Sequence, residues 1–321
     1  MALETPVTVA SRDGNGWVRC ELGHRHWGRF GAAGLLAYVT DGPVLLQRRT
    51  WWSHHGGTWG LPGGARDSHE SALAAALREA AEECGVPPDA VRQRAVFTDD
   101  HGGWSYTTVL AEAEAPFAVQ SDDDETEEVD WFAVPDVARL TLHPGLAAHW
   151  AELSGELSPV SLIVDGANVV GSRPDGWWRD RAGAAARLAG QLALLAVEGT
   201  TRLPEGLAAV TPSGSPVLDG ARDDGGRGED LGRMADGAIG MRWMPEIILV
   251  LEGAARSAAT AAADGPVTVV AAAGSGDDTI AALAASVTGR RVVITADREL
   301  RQRCQAAGAA VAGPGWLLSL L

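Results

Sequence analysis

Residues 58–86 read TWGLPGGARDSHESALAAALREAAEECGV, and the fold of the first half turns on how this stretch is read. It passes through Pro62-Gly63-Gly64, continues in Ala- and Glu-rich sequence built of strong helix formers, and is stopped by Gly85 ahead of Pro87-Pro88. A helix is expected over residues 69–83. On it Glu79, Glu82 and Glu83 stand at i, i+3 and i+4, so their carboxylates share one face. Three like charges crowded there repel, which disfavours a plain surface helix. The same three suit oxygen ligation of Mg²⁺ or Mn²⁺, which in turn contacts substrate phosphates. Arg78 is adjacent in sequence and placed to pair with one carboxylate. Glu70 precedes Glu79 by nine positions, about 180° around a helix, so it is expected to brace the loop and not to join that face.

The spacing Gly64-(5)-Glu70-(7)-Arg78-Glu79-Ala80-Ala81-Glu82-Glu83-Cys84-Gly85-Val86 resembles the Nudix box, with Ala80 and Val86 in its two small hydrophobic slots. The resemblance extends to Thr58–Gly64 and covers roughly residues 25–150. It implies an α+β Nudix fold, a mixed sheet sandwiched by helices. It also implies hydrolysis of nucleoside diphosphates linked to another moiety, with divalent cations bound by the box glutamates. Carried over to this sequence, Glu79, Glu82 and Glu83 are metal ligands, one of them also a candidate base. Arg78 joins the catalytic group, and Gly63 and Gly64 lie at the substrate.

Around this motif the signals are shorter. Arg48 and Arg49, at a strand end, suit phosphate oxygens, and a solvated pair explains them equally. Trp51, Trp52 and Trp59 suit base stacking, but core packing is the preferred reading. Glu127 and Glu128 occupy the place where some family members supply a base from a loop. They also end the acidic run 121–128, expected to be a solvated loop. Cys20, His24 and His26 form a C-x₃-H-x-H cluster. A structural zinc needs four ligands, and no second cysteine pair is near, so no zinc site is expected there.

The whole chain has 321 residues, a length that suggests two domains. Its 26 basic residues, all arginine, face 42 acidic ones, for a net charge of −16. That balance opposes non-specific binding to a phosphate backbone, which needs a basic surface. The three cysteines, Cys20, Cys84 and Cys304, are too few and too scattered for a disulfide framework. No apolar run reaches the 18–20 residues a membrane helix requires, and the first residues lack the pattern of a signal peptide. A cytoplasmic protein without a membrane partner is expected.

Past a boundary near residues 154–159 the pattern changes. SLIVDGANVV, EIILVLEG, VTVVAAAG and RRVVITAD are β-branched runs separated by helical stretches, which implies right-handed crossovers and a mainly parallel sheet. The expected domains are 1–155 and 159–321, the second carrying a long insert loop around 200–243. Acids fall at or just after strand ends: Asp165, Glu252, Asp277-Asp278 and Asp297. Such positions face the crevice at the carboxyl ends of parallel strands, where a cation would offset their repulsion. They are also ordinary helix N-cap positions, with Asp277 or Asp278 placed to cap a helix from Thr279. The pieces VDGAN at 164–168, GDDTI at 276–280 and TADREL at 295–300 resemble the NYN branch of PIN-like nucleases, an α/β Rossmann-like fold. That resemblance makes Asp165, Asp277 and Asp297 metal-site acids, with Asn168 and Asp278 as neighbours. The leading functional reading is Mg²⁺- or Mn²⁺-dependent hydrolysis of a nucleotide substrate. The alternative is an RNA-processing protein whose first half acts on a 5′ end while the second cuts or grips the chain.

Overall fold

A computed structural model describes residues 12–121, 124–205, 207, 240–262 and 265–321. A short hairpin, β1 (Trp17–Arg19) and β2 (Arg25–Trp27), precedes the main elements. There follow β3 (Ala32–Val39), β4 (Pro43–Arg49), β5 (Trp59–Gly60), β6 (Gly63–Ala65), α1 (Ala72–Cys84), β7 (Val91–Asp100), β8 (Ser105–Ala113), β9 (Thr126–Ala133), α2 (Val134–Val137) and α3 (Pro144–Ser154). The second half supplies β10 (Val160–Asp165), α4 (Gly166–Gly171), α5 (Arg181–Glu198), β11 (Gly240–Trp243), β12 (Glu246–Leu251), β13 (Val267–Ala271), α6 (Gly276–Ser286), β14 (Arg290–Ile294), α7 (Arg298–Ala306), β15 (Ala310–Ala312) and α8 (Pro314–Leu318).

The first sheet is mixed. Its order is β11-β7-β8-β3-β4-β5, with β6 also on β3 and β9 also on β4; β3 and β8 run parallel and the other pairs antiparallel. Successive side chains of β3 go to opposite faces, as strand geometry demands. Leu36 and Tyr38 join the core under α3, with Leu146, Trp150 and Leu153. Ala33, Leu35 and Ala37 join the core under α1, with Ala75, Ala76 and Ala80. Burying a leucine side chain is worth about 1.5–3 kcal/mol, and both faces of this strand are so used.

Helix α1 starts three residues later than expected, because the Ser71 hydroxyl accepts from the Ala74 N–H and caps it. It ends at Gly85, whose φ of 64° is left-handed, with the Gly85 and Val86 N–H groups returning to the Ala81 and Ala80 carbonyls. Two other readings are corrected. The acidic run is not loop to its end, since β9 begins at Thr126 and pairs Glu128 with Arg48. Trp59 is buried at 9% exposure, but Trp51 and Trp52 are 81% and 55% exposed and lie outside the core.

The second sheet is wholly parallel, in the order β13-β12-β10-β14-β15. Leu162 and Val164 of β10 face α4, α5 and α8, while Ile163 faces α6 and α7, so helices cover both faces. Its edge strand β15 was not anticipated; three residues, Ala-Val-Ala, carry no periodicity to read. Most of the expected 200–243 insert lies outside the described residues. Its last four residues are not loop, because β11 pairs antiparallel with β7 of the first sheet. Among the described residues no helix is long and apolar enough to cross a membrane.

Candidate active site

Three strands and one helix end converge on the box. Gly63 must approach the β3 backbone closely: a Cβ there would strike the Ala33 carbonyl oxygen. At Gly64 a Cβ would stand 2.7 Å from the Glu79 carboxylate, so the missing side chain is what gives Glu79 its place.

Arg78 organises the carboxylates. Its Nε and Nη2 donate to the two Glu70 oxygens at 2.7 and 2.9 Å, and Nη1 donates to Glu79 at 2.7 Å and to Glu82 at 3.3 Å. Nη2 also reaches the Ala65 carbonyl at 3.1 Å, tying the helix to the end of β6. Glu70 therefore stands off the glutamate face, before the helix, with its second contact from the Asp67 N–H at 3.0 Å. Arg78 holds the Glu70 carboxyl below its usual range, and the Arg78 guanidinium is correspondingly raised. For Glu79 burial dominates and raises its carboxyl, in spite of Arg78.

The remaining two glutamates differ in environment. Glu82 is the most exposed, its side chain 41% accessible, and takes a 2.7 Å bond from Arg12. Glu83 is buried and accepts from the Gln47 amide at 3.0 Å and the Gly63 N–H at 2.8 Å. Neither Arg12 nor Gln47 was anticipated. Gln47 had a legible signal, a polar residue inside the apolar strand Val44-Leu45-Leu46-Gln47; Arg12 had none.

Arg48 is engaged by Glu127 at 3.0 Å and Glu128 at 3.3 Å, across β4 and β9. Arg49 donates through Nε to the His54 carbonyl at 3.1 Å.

At the carboxyl ends of the second sheet Asp165 is buried; it accepts from the Asn168 N–H at 3.0 Å and the Thr295 hydroxyl at 2.9 Å. Asp297 caps α7 through the Leu300 N–H at 2.8 Å, and Asn168 accepts from the Ala296 N–H at 3.2 Å. The N-cap reading thus describes Asp165 and Asp297. It does not describe Asp277 or Asp278, because α6 begins at Gly276 and both lie in its first turn. Asp278 pairs with Arg303 at 2.7 Å. The Asp277 carboxyl is raised by burial, then by the charges of Asp165, Asp297 and Glu252.

The NUDIX domain family model matches residues 28–153. A relative from Mycobacterium tuberculosis named "Putative 8-oxo-dGTP diphosphatase 3" is 48% identical over 160 residues, covering 47% of this chain and 73% of that protein. A nucleoside triphosphate pyrophosphatase/Nudix hydrolase fusion protein from Bifidobacterium longum is 36% identical, over 49% of this chain and 34% of its own length. The crystal structure of a Nudix hydrolase from M. smegmatis, RenU, is 48% identical and covers 44% of this chain and 93% of that one, at a TM-score of 0.40. A filled box on a helix clamped by Arg78, inside the matched region of a mixed sheet, and a relative identical at nearly half of the aligned positions agree: the chain belongs to the Nudix hydrolase family.

Proposed function

We propose that the first half is a divalent-metal-dependent pyrophosphohydrolase acting on a nucleoside triphosphate or a related nucleoside diphosphate derivative. The observation that carries this reading is Arg78 holding Glu79 and Glu82 on one helix face beside the buried Glu83. The donor set fits a hard cation: three carboxylates, with Gly64 leaving the space that Glu79 occupies. Glu79, Glu82 and Glu83 would hold Mg²⁺ or Mn²⁺, which when bound neutralises charge on the pyrophosphate. Arg78 orients the carboxylates, Glu70 anchors Arg78, and one of the three glutamates accepts the proton of the attacking water. Arg49 and the Gly63-Gly64 backbone contact the phosphates; Glu127 holds Arg48 beside them.

The name of the M. tuberculosis relative makes 8-oxo-dGTP the first substrate to try. A panel of 8-oxo-dGTP, dGTP, ADP-ribose, a dinucleotide cofactor and capped RNA, each with Mg²⁺, is scored for phosphate or pyrophosphate release. Glu82→Gln and Glu83→Gln should each lower kcat by about two orders of magnitude or more with the fold retained, since an interaction made at the reacting centre is lost. Wild-type turnover in both variants would remove the assignment.

The second half we read as a PIN-like domain of the NYN branch, spanning 159–321 and following a first domain at 1–155, with β11 lent to the sheet of the first. Its doubly wound order and the raising of the Asp277 carboxyl by burial, then by Asp165, Asp297 and Glu252, support a cation-binding cleft there. Metal-dependent RNA cleavage or RNA binding is the activity that cleft would serve.

A further inference from the structure

The β1–β2 hairpin lies outside both sheets, and a two-stranded hairpin is marginally stable by itself. Its Trp17, Leu22 and Trp27 are exposed, so apolar burial does little to hold it. A second set of its residues is different in kind: buried Cys20 after β1, exposed His24 just before β2 and half-buried His26 on β2. The fourth member is His101, from the turn between β7 and β8, 75 positions beyond His26 in sequence and so beyond any local spacing. One ligand atom from each of these four residues lies within 4.8 Å of the others.

Two of the ring nitrogens have no protein partner. His26 Nε2 and His101 Nδ1 are both buried without a hydrogen bond, and leaving a buried polar group unsatisfied costs about 1–3 kcal/mol. The orientation of His101 is fixed from outside the cluster: its Nε2 lies 3.1 Å from Asp99 Oδ2, which leaves Nδ1 for the interior. A carboxylate behind a ligating histidine is the arrangement that fixes tautomer and ring direction at metal sites. His26 is fixed by stacking on Trp104, with ring centroids 3.9 Å apart and planes 9° apart. The turn carrying Cys20 and His24 is closed by Gly23 N–H to the Cys20 carbonyl at 3.0 Å and Cys20 N–H to the His24 carbonyl at 3.1 Å.

We infer that Cys20, His24, His26 and His101 form a structural zinc site that fastens the β1–β2 hairpin to the β7–β8 turn. One thiolate and three imidazoles are borderline-soft donors that suit Zn²⁺, whereas Mg²⁺ and Ca²⁺ demand oxygen. Tetrahedral bonds of about 2.0–2.3 Å put ligand atoms roughly 3.3–3.7 Å apart, which small adjustments reach from the observed spacing. Binding releases the thiol proton to solvent and leaves no open position, so the site is structural and separate from the carboxylates of α1. Its mechanical consequence reaches them nonetheless. The chain entering the hairpin bonds Arg12 to Glu82 and the Gly14 N–H to Asp67, so a fastened hairpin holds that strand of chain along the box.

The test uses the full-length chain, stripped with a chelator and titrated with Zn²⁺ in the presence of excess Mg²⁺. One equivalent should bind and raise Tm, with Mg²⁺ alone giving no such rise. Co²⁺ in place of Zn²⁺ should give the visible bands of a tetrahedral ion and a thiolate-to-cobalt charge-transfer band. Cys20→Ser should abolish the charge-transfer band, and His101→Ala should weaken Zn²⁺ affinity by at least tenfold to a hundredfold. Glu82→Gln should retain full zinc content, which separates this site from the proposed catalytic one. A wild-type chain that takes up no stoichiometric Zn²⁺ and shows no cobalt spectrum would overturn the inference, and that result needs no variant to fold. Zinc content unchanged in both Cys20→Ser and His101→Ala would overturn it as well.

Discussion

Single atoms decide much of the box. Gly64 does not adopt a left-handed φ, so alanine costs its backbone nothing, and the whole effect of Gly64→Ala is the collision with the Glu79 carboxylate at 2.7 Å. Overpacking of this kind costs about 1–3 kcal/mol. Gly64→Ala should fold, melt a few degrees lower and lose at least tenfold in kcat; unchanged turnover would show that the position of Glu79 is not critical. In the second half Asp277 offers a matching test, because it caps nothing. Its carboxyl is raised in the folded state, so the fold favours the protonated form, and stability falls as pH rises from its ordinary value near 3.8 through the folded one. Asp277→Asn removes that loss. In a chelator the variant should melt above wild type at pH 7, and the difference should vanish below about pH 4. A variant no more stable than wild type at pH 7 would mean the acids do not repel appreciably. Asp165→Asn is a poorer choice, since that carboxylate also accepts from Asn168 and Thr295.

Elements add terms that no single residue shows. Helix α3 begins at Pro144, and its cap is His143, whose Nδ1 accepts from the Gly145 N–H at 3.2 Å. Only a neutral ring can accept there. Burial, then His55 and Arg49, push the His143 imidazole down to about 4. A folded value below the unfolded one means that the unfolded chain binds the proton first. Stability from this group is therefore complete above about pH 6.5 and is lost as pH falls toward 4. His143→Asn keeps a good cap, with caps worth about 0.5–2 kcal/mol, and removes the titration. Between pH 7 and 4.5 the variant should lose less Tm than wild type. Equal slopes would rule out His143 as a contributor.

How legible the elements were follows from their length and periodicity. Helix α1 and strands β3, β8, β10 and β12 were readable because each carries several apolar residues at one period. The β1–β2 hairpin and β15, at three residues per strand, are too short to hold a pattern. The same limit applies to the site. The box glutamates and Arg78 lie close in sequence and could be read together. Arg12, Gln47 and His101 reach their clusters through tertiary structure.

At the scale of the whole molecule, the two sheets meet at Trp243. Its side chain packs against both cores, its Nε1 donates to Glu156 at 2.8 Å, and its backbone exchanges two bonds with Thr200. Glu156 in turn holds Arg290 at 2.7 Å, and Arg94 of β7 holds Glu246 of β12 at 2.7 Å. Trp243→Ala should cost about 3 kcal/mol or more. In urea, probes in the two halves should report coincident transitions for wild type and separated ones for the variant. A single unshifted transition would show that Trp243 couples nothing. Strand β11 carries a broader consequence. It occupies the outer edge of the first sheet, where β7 would otherwise present a ladder of unpaired backbone groups to any passing chain. The catalytic half thus borrows its selvage from its companion, and the second half is not an interchangeable cassette: grafting a different one in its place would leave an unhemmed border, inviting aggregation whatever activity the new passenger brought.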